Sequence, residues 1–165
     1  MRLFIAIDLS PELKKSLIGF MHDLKLKGIK GNYTPAQNLH LTLCFIGETK
    51  SADEIKAAMK AVSFKEFRLA LDETGRFGDI FWVGLKGSQK LKILAADLRK
   101  QLDQAGIPYD KKAFEPHITL IRKVSGPTTG KLPVPKDEMM VKKVSLMKSE
   151  QKNGKMVYTE IFSIS

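Results

Sequence analysis

Two of the three histidines in this 165-residue chain stand in the same four-residue word, His40-Leu-Thr-Leu and His117-Ile-Thr-Leu. Side chains two apart on a strand share a face. His40 and Thr42, and likewise His117 and Thr119, would therefore each present an imidazole beside a hydroxyl. The opposite face of the first word carries Leu39, Leu41, Leu43 and Phe45, an apolar row that reads as the core side and leaves the His-Thr face for a polar cleft. An imidazole changes charge near neutral pH. Two imidazoles and two hydroxyls suit in-line displacement at phosphorus. One ring takes the proton of the attacking oxygen, the other gives one to the leaving oxygen, and the threonines hold the non-bridging oxygens.

Taken singly, a His-x-Thr on a strand is ordinary structural material, since threonine is simply a good strand former. The recurrence argues for chemistry. Ala6 to His40 and Gly84 to His117 span nearly equal stretches of chain, each read as strand, helix, turn and strand. His22, beside Asp23 on an amphipathic segment, has no such context and is read as a solvated residue. There is no His-x-His, no His-Glu-x-x-His and no carboxylate in step with either histidine face, so no metal site is expected.

The elements that would position these residues follow from local signals. Leu3–Leu9 is a short apolar strand. Ser10 is an N-cap with Pro11 in the first turn, opening a helix whose face is Leu13, Leu17, Phe20, Met21 and Leu24 and which stops near Gly28. Asn38–Gly47 reads as a strand, and Ser51 with Glu54 as a capping box for a helix through Val62. Phe67–Asp72 suits an edge strand and Ile80–Leu85 a buried one. Ser88 caps a helix with Leu91, Leu94, Ala95, Leu98 and Leu102 in register, ended by Gly106. Glu115–Arg122 is a strand, Val124–Lys136 a proline-rich loop, and Val141–Ser149 with Met156–Ile164 a hairpin about Asn153-Gly154. The expected fold is α+β: a single domain, residues 1–165, of two pseudo-symmetric lobes, with antiparallel sheets lining a central cleft and helices outside.

Hydrophobic residues make up 43% and charged residues 28% of the chain, which excludes disordered and collagen-like classes. The 28 Lys and Arg against 18 Asp and Glu give a net charge of +10, which favours an anionic partner. A lone cysteine, Cys44, excludes an internal disulfide framework. The apolar start is broken by Asp8 and falls far short of the roughly 20 residues a membrane span needs. The protein is therefore expected to be soluble and cytoplasmic, without membrane contact.

The two words, together with Arg2-Leu-Phe-Ile-Ala-Ile, Phe45-Ile-Gly, Trp82-Val-Gly-Leu and Phe114-Glu-Pro-His-Ile-Thr-Leu-Ile-Arg, resemble the two-histidine phosphoesterase superfamily over nearly the full chain. Within it the likeness is to RNA 2′,3′-cyclic phosphodiesterases, also called 2′-5′ RNA ligases. The resemblance implies opening of a 2′,3′-cyclic phosphate at an RNA end to a 2′-phosphate, and in some members 2′-5′ joining of tRNA halves, with no nucleotide cofactor. It implies His117 and His40 as catalytic residues, with His117 favoured as base and His40 as acid. Thr42, Thr119 and Arg122 would bind phosphate, with a monomer acting on RNA ends. Alternatives are a non-catalytic RNA or nucleotide binding module and a small-molecule nucleotide cyclic phosphodiesterase.

Arg122 poses a problem of parity. Five residues beyond His117, an undistorted strand sends it to the opposite face, so either the strand bulges or ends, or the side chain reaches round its edge. Lys111, Lys112, Arg122, Lys123 and Lys131 could form a basic rim, whereas Lys14, Lys15, Lys25, Lys27 and Lys30 read as a solvated set on the first helix and its exit. Phe4, Phe45, Phe77 and Trp82 are candidates to stack a base.

Overall fold

The computed structural model describes residues 1–87, 89–126 and 132–165. β1 (Arg2–Asp8) runs into Ser10, whose Oγ accepts the Leu13 N–H at 3.2 Å, and α1 (Pro11–Leu26) follows with the apolar face expected of it. A short β2 (Lys30–Tyr33) and a 3-10 turn (Ala36–Asn38) lead into β3 (His40–Glu48). Next come α2 (Ala52–Lys60), β4 (Phe67–Phe77), β5 (Ile80–Lys86) and α3 (Gln89–Gln104). The chain continues with β6 (His117–Ser125), β7 (Glu138–Val141), β8 (Val144–Lys152) and β9 (Lys155–Ile164).

The strands form two antiparallel sheets, ordered β3-β1-β8-β9 and β2-β6-β5-β4-β7. Setting β6, β5, β4 and β7 against β3, β1, β8 and β9 matches the sheets strand for strand, with β2 as the addition. The α+β fold of two pseudo-symmetric lobes is thus present, and β3 faces β6 across the seam. One contiguous core runs through both lobes, from Leu13 and Leu17 of α1 through Leu41 and Ile118 to Leu94 and Leu98 of α3. Each such side chain contributes roughly 1.5–3 kcal/mol by leaving water.

Several expectations need correcting. β2 and β7 escaped sequence reading because each is four residues long, and β2 is Lys-Gly-Asn-Tyr, without an apolar alternation. β4 is not an edge strand: β7 covers its outer side. β6 extends through Ser125, into the expected loop. The capping box does not form, since the Ser51 side chain makes no cap bond; its backbone N–H instead donates to Thr49 Oγ1 at 3.0 Å. Asn153 and Gly154 do form the hairpin turn, with φ of 53° and 74°, the paired positive values that match the strand twist. The Ser88 cap, residues 127–131 of the loop, and Lys131 lie outside the described residues.

Candidate active site

The parity problem is resolved in the same way twice. In β3, Ala6 pairs with Thr42 and Ile5 with Cys44, so the ladder skips Leu43. Leu43 and Cys44 are consecutive buried residues, 1% and 2% exposed. In β6, Trp82 pairs with Thr119 and Phe81 with Ile121, so the ladder skips Leu120, and Leu120 and Ile121 are both 0% exposed. Each strand therefore carries one extra residue just after its His-x-Thr, a β-bulge that reverses the alternation beyond it. The fifth residue after each histidine is returned to the cleft side: Phe45 in one lobe, Arg122 in the other. The reading of Phe45 as part of the core row is corrected here, since Cys44 takes that place and Phe45 is only partly buried.

His40, Thr42, His117, Thr119 and Arg122 line one cavity of about 260 Å³, joined by Asn32, Tyr33, Thr34, Pro35, Asn38, Met156 and Tyr158. The two imidazoles are held alike. His40 Nδ1 lies 2.7 Å from the Asn38 carbonyl and His117 Nδ1 lies 2.6 Å from the Glu115 carbonyl, in each case the residue two before. A carbonyl only accepts, so Nδ1 carries the proton and Nε2 is left as the nitrogen able to accept one in both neutral rings. His40 Nε2 is 2.8 Å from Thr42 Oγ1, which in the neutral ring donates its hydroxyl hydrogen to it. Each ring also lies between two aromatic groups: His40 against Phe4 at 5.0 Å and Tyr158 at 5.2 Å, His117 against Phe77 at 5.3 Å and Trp82 at 6.0 Å.

The surroundings of His40 act on its charge state. Burial pushes the His40 pKa below the ordinary imidazole value. The Asn38 carbonyl opposes that shift, Arg122 and His117 add to it, and Asp8, paired with His40 across the β1–β3 ladder, counters it. Arg122 brings a fixed charge and a planar fork of donors to the cavity, the geometry suited to paired phosphate oxygens.

Supporting residues emerged that the sequence did not single out. Asn38 is 7% exposed; its Nδ2 donates to the Met156 carbonyl at 3.0 Å while its own carbonyl holds His40, so one residue ties the β9 side of the cavity to the imidazole. Thr34 does the matching work on the other strand, its Oγ1 donating to the Thr119 carbonyl at 3.0 Å and its N–H to that of Leu120 at 2.8 Å. The signal for both lay in side chains flanking a motif in an irregular segment, where pattern rules are silent.

Among the candidate stacking rings, Phe4 is 3% exposed and belongs to the core, whereas Phe77 is 38% exposed. Phe45 and Phe77 line a second groove that shares Thr42 and His117 with the cavity. Of the basic residues, Lys14 pairs with Asp8 at 3.0 Å and Lys111 with Asp103 at 3.9 Å, while Lys112 lines the second groove. His22 is exposed on α1, as expected. No helix among the described residues is long and apolar enough to cross a membrane.

Comparison with known proteins adds a lineage to this geometry. An RNA 2′,3′-cyclic phosphodiesterase of Escherichia coli is 32% identical over 165 residues, covering 97% of this chain and 93% of that protein. One of Thermotoga maritima is 32% identical over 131 residues, 74% of this chain and 70% of that one. The crystal structure of Escherichia coli LigT complexed with 3′-AMP superposes with a TM-score of 0.87 at 30% identity, covering 99% of this chain and 96% of that one. The family model of the 2′-5′ RNA ligase superfamily matches residues 13–153, and the chain belongs to that superfamily.

Proposed function

We propose that this protein hydrolyses the 2′,3′-cyclic phosphate at RNA ends to a 2′-phosphate without a metal ion. The observation that carries the proposal is the convergence of both His-x-Thr pairs and Arg122 on one cavity. The similar phosphodiesterases support the substrate class. Among the described residues no group of three or more His, Cys, Asp or Glu is placed to hold a metal ion. Residues 1–165 act as one two-histidine phosphoesterase unit, a cytoplasmic monomer.

The cyclic phosphate sits with its non-bridging oxygens on Arg122, Thr42 and Thr119. His117 Nε2 takes a proton from water as the water oxygen bonds to phosphorus. The P–O3′ bond breaks, and O3′ takes the proton of His40 Nε2–H, leaving a 2′-phosphate and a 3′-hydroxyl. The lowered pKa of His40 makes its protonated form the stronger acid, and the phosphate anion beside it favours that form. A 5′-hydroxyl in place of water would give 2′-5′ joining by the same proton movements, with tRNA halves as one class of substrate.

The test is to incubate the protein, with and without a chelator, with an RNA oligomer bearing a 2′,3′-cyclic phosphate and to determine the product end by mass. A 2′-monophosphate in both cases is expected, with turnover lost in His40→Ala and His117→Ala. Turnover unchanged in both variants would overturn the mechanism.

A further inference from the structure

A groove of about 290 Å³ lies between α1 and the segment that leaves β2. Tyr33, Thr34 and Pro35 line both this groove and the phosphate cavity, so these three residues are the ridge between the two. The helical wall is Ile18, Met21, His22 and Lys25, whose spacing puts them on one face of α1. Met21 is buried, whereas Ile18, His22 and Lys25 are exposed. None of the described residues that line the groove is a carboxylate. Lys25, which reads from the sequence as one of a solvated set, instead holds its Nζ 4.7 Å from the centre of the Tyr33 ring.

The ridge is fastened to β6. Asn32 pairs with Arg122 and Tyr33 with Ile121 in the β2–β6 ladder, and the Tyr33 hydroxyl donates to the Ile29 carbonyl at 2.6 Å. Thr34 is held twice, through its hydroxyl to the Thr119 carbonyl and through its N–H to that of Leu120. The ridge therefore moves only with the strand that carries His117, Thr119 and Arg122. Whatever crosses it is set in register against those side chains.

We propose that this groove receives the RNA strand that presents the 5′-hydroxyl in 2′-5′ joining, and so sets how much of the cyclic phosphate is joined rather than hydrolysed. The proposal rests on the reading above, in which His117 takes the proton of the attacking oxygen, and adds the strand that bears this oxygen. An in-line attacker reaches phosphorus from the side away from O3′, beside His117, and the ridge is tied to the strand of that histidine. The 5′-oxygen bonds to phosphorus as His117 Nε2 takes its proton. The P–O3′ bond breaks and O3′ takes the proton of His40, leaving a 2′-5′ phosphodiester and a 3′-hydroxyl. Behind the reacting hydroxyl the strand crosses Pro35, and its first internucleotide phosphate meets the Lys25 ammonium beside the His22 ring. Ile18 takes the apolar edge of the sugar or base. Charge and continuity select this occupant: an apolar protein segment would leave Lys25 unanswered, and an acidic one would bring no hydroxyl-bearing end to the cavity. With the groove empty, water attacks instead.

The test mixes an RNA oligomer ending in a 2′,3′-cyclic phosphate with one bearing a 5′-hydroxyl and a plain 3′-hydroxyl, and follows joined product and 2′-phosphate together. The affinity of the 5′-hydroxyl oligomer alone is measured across salt concentrations. Lys25→Gln should weaken that affinity by about fivefold at about 0.1 M salt and reduce its log–log salt slope by about 0.7, the contribution of one phosphate contact on a single strand. Joining below saturation should fall by the same factor, while hydrolysis of the cyclic phosphate alone should not change. Lys27→Gln removes the same charge at the end of α1, outside the groove, and should leave all three quantities in place. Unchanged affinity in Lys25→Gln, equal effects of the two substitutions, or hydrolysis falling together with joining would overturn the proposal. Wild-type protein that hydrolyses the cyclic phosphate but joins at no oligomer concentration would overturn it too. Failure of the hydrolytic reading would appear instead as no turnover of the cyclic phosphate, and the binding comparison of Lys25→Gln with Lys27→Gln would still decide the groove.

Discussion

Gly75 on β4 lies directly beneath the Trp82 indole. It has no positive φ, so the position needs glycine for space rather than for backbone freedom. A Cβ built there comes closer than 3.0 Å to Cη2, Cζ2 and Cζ3 of the indole. Ordinary carbon contacts lie at about 3.5–4.0 Å, so in Gly75→Ala the ring must retreat by roughly 1 Å. Its freedom to do so is small: Phe77 is 4.8 Å away, and a Cβ at Gly84 would also touch the indole, at 3.4 Å.

Overpacking of this kind costs about 1–3 kcal/mol, which for a chain of this size lowers Tm by roughly 2–12 °C. The site should feel it as well. Trp82 pairs with Thr119 in the ladder and its ring lies 6.0 Å from His117, and a displacement of about 1 Å at a reacting group can cost up to about 10²-fold in rate. Trp82 is the only tryptophan, so its emission reports the ring's environment alone. The assay is a thermal melt, an emission spectrum and kcat on a cyclic-phosphate substrate for Gly75→Ala, with Trp82→Phe in the same background. The smaller ring should recover stability in the double variant, a coupling that distant sites do not show. Unchanged Tm, emission and kcat in Gly75→Ala would refute the claim that glycine seats the indole against the active site.

Arg122→Ala should lower kcat by about 10²–10³-fold, the cost of losing one preorganised donor to a developing anion, and Arg122→Lys should recover only part of it because a point charge lacks the bidentate fork; full recovery by lysine would argue against paired contacts. Asn38→Ala removes the donor to the Met156 carbonyl and should destabilise by about 1–3 kcal/mol. Its pH–rate profile should also shift through His40, which a purely structural lesion would leave in place. The lowered pKa of His40 means that the unfolded chain binds its proton more tightly, so stability should fall as pH drops from above 6.5 through the folded-state value, and His40→Asn should flatten that slope in melts across this range. Wild-type and His40→Asn curves that run parallel would show the ring to be ordinarily solvated.

The long periodic elements were legible because their physics is local: α1 and α3 bury the residues their spacing marked, and Asn153-Gly154 turns the hairpin. The site pairs were legible because a strand's two-residue period places His and Thr together, whatever the tertiary structure does. What was not legible depends on partners distant in sequence. β2 owes its strand to pairing with β6, Tyr33 opposite Ile121, rather than to its own residues. The bulges at Leu43 and Leu120 are visible only as one apolar residue too many, so that parity alone sent Phe45 and Arg122 to the wrong face. Two adjacent apolar residues following His-x-Thr were the available signal, Leu43-Cys44 in one case and Leu120-Ile121 in the other.

The same bulge in both lobes shows how a pseudo-symmetric frame yields an asymmetric catalyst. In-line displacement needs opposite protonation states at its two ends, and two identical imidazoles in identical surroundings would titrate together. The duplication supplies what must be equal: a carbonyl fixing Nδ1, a threonine two residues on, and a bulge that brings the fifth residue into the cleft. The difference begins with what arrives there and what packs behind. Where one bulge delivers the Phe45 ring, the other delivers the Arg122 charge, and burial between Phe4 and Tyr158 depresses His40, with that cation adding to it. The ladder partner breaks the symmetry too, for Asp8 stands opposite His40 where Gly84 stands opposite His117. One bulge thus sets an aromatic ring on the cleft side of its strand and the other a cation in the cavity, so the two walls differ in kind although the strands that carry them match.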